Sequence, residues 1–168
     1  VVTIDVVNFF FFFDQSVFDR GFPIRHAGDG DWAAAQNFTP MVNTLSKIRL
    51  YLRAFGTPDF DLTVELREDS LNGTLLETVI VSAEDVPTSW TWFDIDFDDV
   101  TVTPGIDYFI VIPPAPSGVT TSFGYEWGYA YGNVYDDGSF WFTRDGGNLW
   151  RDLSDSYDFC FQTVYPVS

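Results

Sequence analysis

Glu126 stands between Gly124 and Gly128 and is the acid best placed to serve as a proton donor. Glycoside hydrolysis, however, needs two carboxyl groups at a set separation across the bond, and no spacing singles out a partner for it. The single histidine, His26, lies in a Gly/Asp-rich stretch with no Gly-x-Ser-x-Gly turn nearby, so no nucleophilic triad is assembled. Cys160 alternates with Phe159 and Phe161 as the only cysteine of the chain, which suits an inert buried thiol and rules out a disulfide within the chain. These residues point away from catalysis and toward a non-enzymatic protein.

Binding chemistry is better represented. Aspartates cluster at Asp29/Asp31, Asp94/Asp96/Asp98/Asp99, Asp136/Asp137 and Asp152/Asp155/Asp158. Calcium is a hard cation that takes six to eight oxygens. Asp29, Asp31, Asp94 and Asp96 are therefore candidate ligands for a structural Ca²⁺, although no EF-hand spacing occurs and solvated acidic loops are the simpler explanation of the clusters. No other cofactor is required. Flat apolar sugar faces pack on aromatic rings, and Trp92, Trp127 and Trp141 are candidates for such stacking. The alternation of Tyr125, Trp127, Tyr129 and Tyr131 fits a sandwich core as well. Two sequons, Asn37-Phe38-Thr39 and Asn72-Gly73-Thr74, make Asn37 and Asn72 candidate glycosylation sites.

These groups must be carried on strands. The acids are mostly Asp and the bases mostly Arg, a bias toward turns rather than helices. Aromatics make up 19% of the 168 residues, 18 of them Phe, as pleated half-buried strands prefer. Over Lys47–Arg53, Ile48, Leu50 and Leu52 point one way and Arg49, Tyr51 and Arg53 the other. Phe60, Leu62, Val64 and Leu66 alternate against Asp61, Thr63, Glu65 and Arg67. Further strands are expected over 75–81, 90–97 (with Trp92, Asp94 and Asp96 outward), 108–112, 122–131, 140–143, 148–152 and 157–164. Eight to ten short strands with a turn every 8–12 residues predict an all-β, jelly-roll-like β-sandwich, a single domain over residues 1–168.

Phe9, Phe10, Phe11, Phe12 and Phe13 run unbroken after Val6 and Val7. Neighbouring side chains on a strand face opposite ways, so a one-sided sheet would leave two or three rings in water. At about 25 cal/mol per Å² over roughly 150 Å², each exposed ring costs several kcal/mol. One reading covers both faces from within the chain, with residues 14–33 lying over the strand. The other donates residues 1–13 to a neighbouring subunit, giving self-association into oligomers or filaments.

Gln36-Asn37-Phe38-Thr39-Pro40, Leu50-Tyr51-Leu52-Arg53, Asp61–Arg67 and Tyr157-Asp158-Phe159-Cys160-Phe161 resemble the "choice-of-anchor" domain of secreted bacterial and archaeal surface proteins, over roughly residues 34–165. The resemblance implies an extracellular, non-enzymatic β-sandwich. Thr143-Arg144-Asp145-Gly146-Gly147-Asn148-Leu149-Trp150 is similar to an Asp-box hairpin, with Leu149 in place of the usual Thr. A propeller needs several such boxes, so a structural turn is expected.

Net charge bounds the partners. With 8 basic and 25 acidic residues the chain carries −17, and its field repels nucleic acid and anionic membrane surfaces. No 18-residue apolar run is present to span a bilayer. The expectation is an extracellular structural or adhesive subunit, with a carbohydrate-binding module as the alternative.

Overall fold

The alternation over 47–53 lies inside the longest strand of the protein, Thr44–Phe55, whose inward Leu45, Ile48, Leu50 and Leu52 are fully buried. The computed structural model describes residues 9–27, 30–116, 121–153 and 156–167. In chain order the strands are β1 (Phe9–Gln15), β2 (Arg20–Ile24), β3 (His26–Ala27), β4 (Gly30–Asp31), β5 (Ala33–Phe38), β6 (Thr44–Phe55), β7 (Leu62–Glu68) and β8 (Leu75–Val81). They continue with β9 (Thr91–Thr101), β10 (Tyr108–Ile112), β11 (Gly124–Tyr131), β12 (Phe140–Thr143), β13 (Arg151–Asp152), β14 (Tyr157–Phe159) and β15 (Phe161–Pro166). One 3-10 turn, Ala83–Asp85, precedes β9.

Two antiparallel sheets, of seven and six strands, make a β-sandwich. In the larger sheet β6 is the hub. β9 runs along one side of it, while the other side takes β15 at Lys47–Leu50 and β11 at Leu52–Phe55. Beyond β15 lies β1, and beyond β11 lies β2. The C-terminal strand changes neighbours at Cys160, whose N–H donates to the Gly128 carbonyl at 2.8 Å; β14 pairs with β11 before it and β15 with β6 after it. The smaller sheet has the order β13-β12-β5-β10-β7-β8, and β3 and β4 form a separate ribbon.

Inner faces meet in an aromatic core. Trp127 stacks on Phe159 at 4.1 Å, and Phe159 stacks on Phe140 of the facing sheet at 4.0 Å. A polar link also crosses this core. The buried Asp158 carboxylate accepts from Gln36 Nε2 at 3.2 Å, Val134 N at 3.0 Å and Tyr135 N at 2.9 Å, while Gln36 Oε1 accepts from Phe159 N at 2.9 Å. Each donor and acceptor is thereby satisfied, as a buried polar group requires.

The expected strands are present with three differences. Residues 14–33 are not all loop; they hold β2, β3 and β4 and lead into β5. β5 is buried at all six positions because it is central to its sheet and shielded on both faces, so it shows no alternation. The closing strand is two strands, broken at Cys160. The β1 backbone pairs with β15 of the same chain, Phe9 opposite Pro166 through Phe12 opposite Thr163, with a register shift before Gln15. Val6, Val7 and the side chains of Phe9–Phe13 lie outside the described residues.

Candidate functional site

Adjacent strands of the larger sheet bring two glycines together: Gly21 of β2 is opposite Gly128 of β11. A Cβ on Gly21 would lie 2.8 Å from the Trp90 ring, and one on Gly128 would lie 2.9 Å from Phe18 and 3.0 Å from Tyr51. Their bare backbones are thus the floor for three rings. Tyr51 and Trp90 stack at 5.2 Å with planes 14° apart, Phe18 packs on Trp90 at 4.6 Å, and Trp92 continues the row 5.2 Å from Tyr51. All four rings are on the outer face of the sandwich, where a solvated sheet ordinarily carries polar side chains. Phe18 remains 38% exposed and the other three are half-buried.

This strip opens into a cleft of about 610 Å³ at the β2 edge. Four of the eight basic residues of the chain line it: Arg20, Arg25, Arg53 and Arg144. Aromatic rings position three of these guanidinium groups. Arg53 sits 5.2 Å above the Trp90 ring, while Arg25 and Arg144 both approach Trp32, at 5.2 and 4.6 Å. Arg20 is held by the Tyr131 hydroxyl, whose hydrogen bond moves the guanidinium further above its ordinary pKa. The hairpin turn delivers Arg144. Asp145 Oδ1 accepts from Thr143 Oγ1 at 2.7 Å and Leu149 N at 3.0 Å, with Gly146 and Gly147 at positive φ. The Leu149 N–H and the Thr143 hydroxyl hold the Asp145 carboxyl below the usual carboxylate range.

Within the cleft only Arg53 has an ion-pairing carboxylate among the described residues, Glu126 at 2.6 Å. The Nε of Arg25 is buried and has no hydrogen-bond partner among them. The best-placed acid of the sequence is therefore the counter-ion of an arginine.

The structure disperses the three tryptophans proposed for sugar stacking. Trp92 belongs to the outer strip. Trp127 is fully buried against Phe159, so no sugar can reach it. Trp141 is on the outer face of the other sheet, beside Phe109, where its Nε1 donates to Asn37 Oδ1 at 3.2 Å. That bond, with a second from Ser139 N at 2.7 Å, occupies Asn37, which is only 8% exposed; the folded chain does not present this sequon for glycosylation. Asn72 is exposed in a turn.

Among the proposed calcium ligands, Asp94 is taken by Lys47 at 3.1 Å and Arg49 at 2.8 Å, and Asp96 Oδ1 accepts from Asp98 N at 2.9 Å. Asp31 is half-buried, and Asp29 lies outside the described residues. No group of three acidic, histidine or cysteine side chains suited to a metal occurs among the described residues. Cys160 is buried, its Sγ donating to the Val17 carbonyl at 3.1 Å, and burial pushes its thiol up to about 12. The His26 side chain lies outside the described residues. Among those residues no helix is long and apolar enough to cross a membrane.

The fold and this face together define a β-sandwich whose outer surface joins an aromatic strip to an arginine-lined cleft. No family model matches the chain, and no curated protein matches it. A chain in the structure of the infectious bursal disease virus Gt strain is similar at 15% identity and a TM-score of 0.35, over 96% of this chain and 42% of that one. The present chain thus spans less than half of that polypeptide, and the likeness has no bearing on what it does.

Proposed function

We propose that the chain is a non-catalytic β-sandwich module of an extracellular surface and that it works by adhesion through the outer face of its larger sheet. The strip of Phe18, Trp90, Tyr51 and Trp92 carries this reading, because four adjacent rings on the outer face of a sheet make an apolar patch of the kind that marks a binding surface. Ring spacings near 5 Å give a continuous apolar platform, which suits the flat faces of a glycan chain. In native gels containing soluble polysaccharides, the protein is expected to be retarded by at least one of them. Trp92→Ala combined with Phe18→Ala should abolish the retardation. Equal retardation of that double variant and the parent would refute the reading.

Assembly is the second reading, and one observation favours it. Among the described residues β1 pairs with β15 only, so the same slot beside β15 is open to exchange with the leading strand of another copy. Size-exclusion with light scattering, followed by electron microscopy of the purified protein, tests it. Oligomers or filaments growing with concentration are expected, and a monomer at every concentration would exclude strand donation.

A further inference from the structure

We infer that the cleft beside the aromatic strip is an anion subsite and that the glycan bound there is acidic, bearing carboxylate or sulfate groups. The inference rests on the adhesive reading above and adds the chemical class of its ligand. Half of the basic side chains of a −17 chain converge on one cleft, where Glu126 compensates only one of them. Gathering like charges is unfavourable, the more so beside apolar rings that lower the local dielectric, and an anionic ligand removes that cost.

Arg25 and Arg144 share one indole, Trp32; Arg25 Nη1 donates to the Thr121 carbonyl at 3.3 Å, while Arg144, held only by ring faces among the described residues, keeps a planar edge for bidentate recognition. The buried Arg25 Nε, with no acceptor among the described residues, is the donor such a ligand would satisfy. Phe18 and Trp90 line the cleft as well as belonging to the strip, so stacking and charge recognition occupy one continuous surface. A saccharide chain with its rings on the strip and its acidic substituents in the cleft uses both. The surrounding acidic surface repels polyanions elsewhere, which confines their binding to the cleft.

The test is affinity electrophoresis in polygalacturonate, in dextran sulfate and in neutral dextran and galactan, at low and at physiological salt. Stronger retardation by an acidic polymer than by either neutral one is expected, weakening as salt rises, and the two acidic arms separate carboxylate from sulfate ester. Arg20→Ala and Arg144→Ala alter exposed side chains and should each weaken that binding about tenfold or more, as the loss of a charge-assisted hydrogen bond implies. Arg67→Ala on the other sheet, whose guanidinium pairs with Glu65, should leave it unchanged. Arg144→Lys should recover only part of the affinity, because an ammonium cannot bind bidentately. Retardation by neutral polymers alone would overturn the acidic-ligand inference and leave the adhesive reading standing. Acidic retardation that Arg20→Ala and Arg144→Ala do not alter would also overturn it. Retardation by none of the polymers would overturn both.

Discussion

Arg53 and Glu126 are paired in the β6–β11 register and close to 2.6 Å, with Arg53 Nε donating to Glu126 Oε2. The contact gives Glu126 an electrostatic role in place of an acid–base one. Side-chain exposures of 37% and 20% place the pair at the surface, where screening limits its contribution to about 1 kcal/mol at most. Glu126→Gln should therefore change the urea unfolding free energy by no more than that amount. It should also strengthen retardation by polygalacturonate, since a fourth guanidinium becomes uncompensated. A stability loss near 3 kcal/mol would mean instead that the pair is a structural element of the sheet.

Gly21 tests whether the rings need their floor. A methyl group there meets Trp90 at 2.8 Å, too close for contact without movement. Trp90 is the half-buried member of the strip that moves, so Gly21→Ala should cost about 1–2 kcal/mol, at the lower end of overpacking penalties. Glycan retardation should fall more than stability does. Unchanged binding alongside a folded variant would show that the stacked geometry over β2 is not what the ligand uses.

Much of this face was legible in the alternation of β6 and β9, which puts Tyr51, Arg53 and Trp92 outward from sequence alone. The Gly124/Glu126/Gly128 face of β11 was legible too, although its meaning was not. Small residues on a strand face mark the close approach of something else, here Phe18 and Tyr51 over Gly128. What sequence could not show is that Arg20, Arg25, Trp32 and Arg144, from β2, the segment before β5 and a hairpin turn, meet at one edge. That convergence depends on β2 pairing with β11, and Arg-Gly-Phe-Pro-Ile carries no strand signal of its own because Gly and Pro hold its outward positions. β5 escaped for the opposite reason, since burial on both faces erases the period on which the reading relies. The Asp158 cluster looked like calcium chemistry because Asp favours loops, yet its carboxylate is spent on two backbone N–H groups and Gln36.

Two buried carboxyls set the pH response of the fold. Burial raises Asp14 and Asp158 to about 6 from an ordinary value of 3.8. Between those limits the folded state binds more protons than the unfolded state, so stability is fully present below about pH 4 and declines as pH rises through 6. At 1.36 kcal/mol per pKa unit, each group accounts for roughly 2–3 kcal/mol of that decline. Relief of self-repulsion among the other acids acts in the same direction, so a variant must separate the effects. In Asp14→Asn the amide oxygen can still accept from Thr163 N and Oγ1, which contact Asp14 Oδ2 at 2.6 and 2.7 Å. The variant should therefore match the parent near pH 4 and exceed it at pH 7 in thermal melts. A gap between the two that does not vary with pH would contradict the assignment.

Cys160 supplies an independent probe of the same packing. The thiol is fully buried where β14 gives way to β15, donates to the Val17 carbonyl at 3.1 Å and accepts from Gln15 Nε2 at 3.7 Å. Burial pushes it up to about 12, so at pH 8 the thiolate fraction is on the order of 10⁻⁴. Both factors slow alkylation, because the nucleophile is the thiolate and reagent can reach it only when the strand opens. Iodoacetamide at pH 8 should leave the native protein unlabelled over hours and modify one cysteine within minutes in 6 M guanidinium. Gln15 belongs to β1, so displacement of that strand would remove its amide from the sulfur and expose the thiol. Labelling of the native protein that accelerates on dilution of an oligomer would therefore report β1 exchange directly, whereas rapid labelling at every concentration would mean that the β14–β15 junction is open in the resting fold.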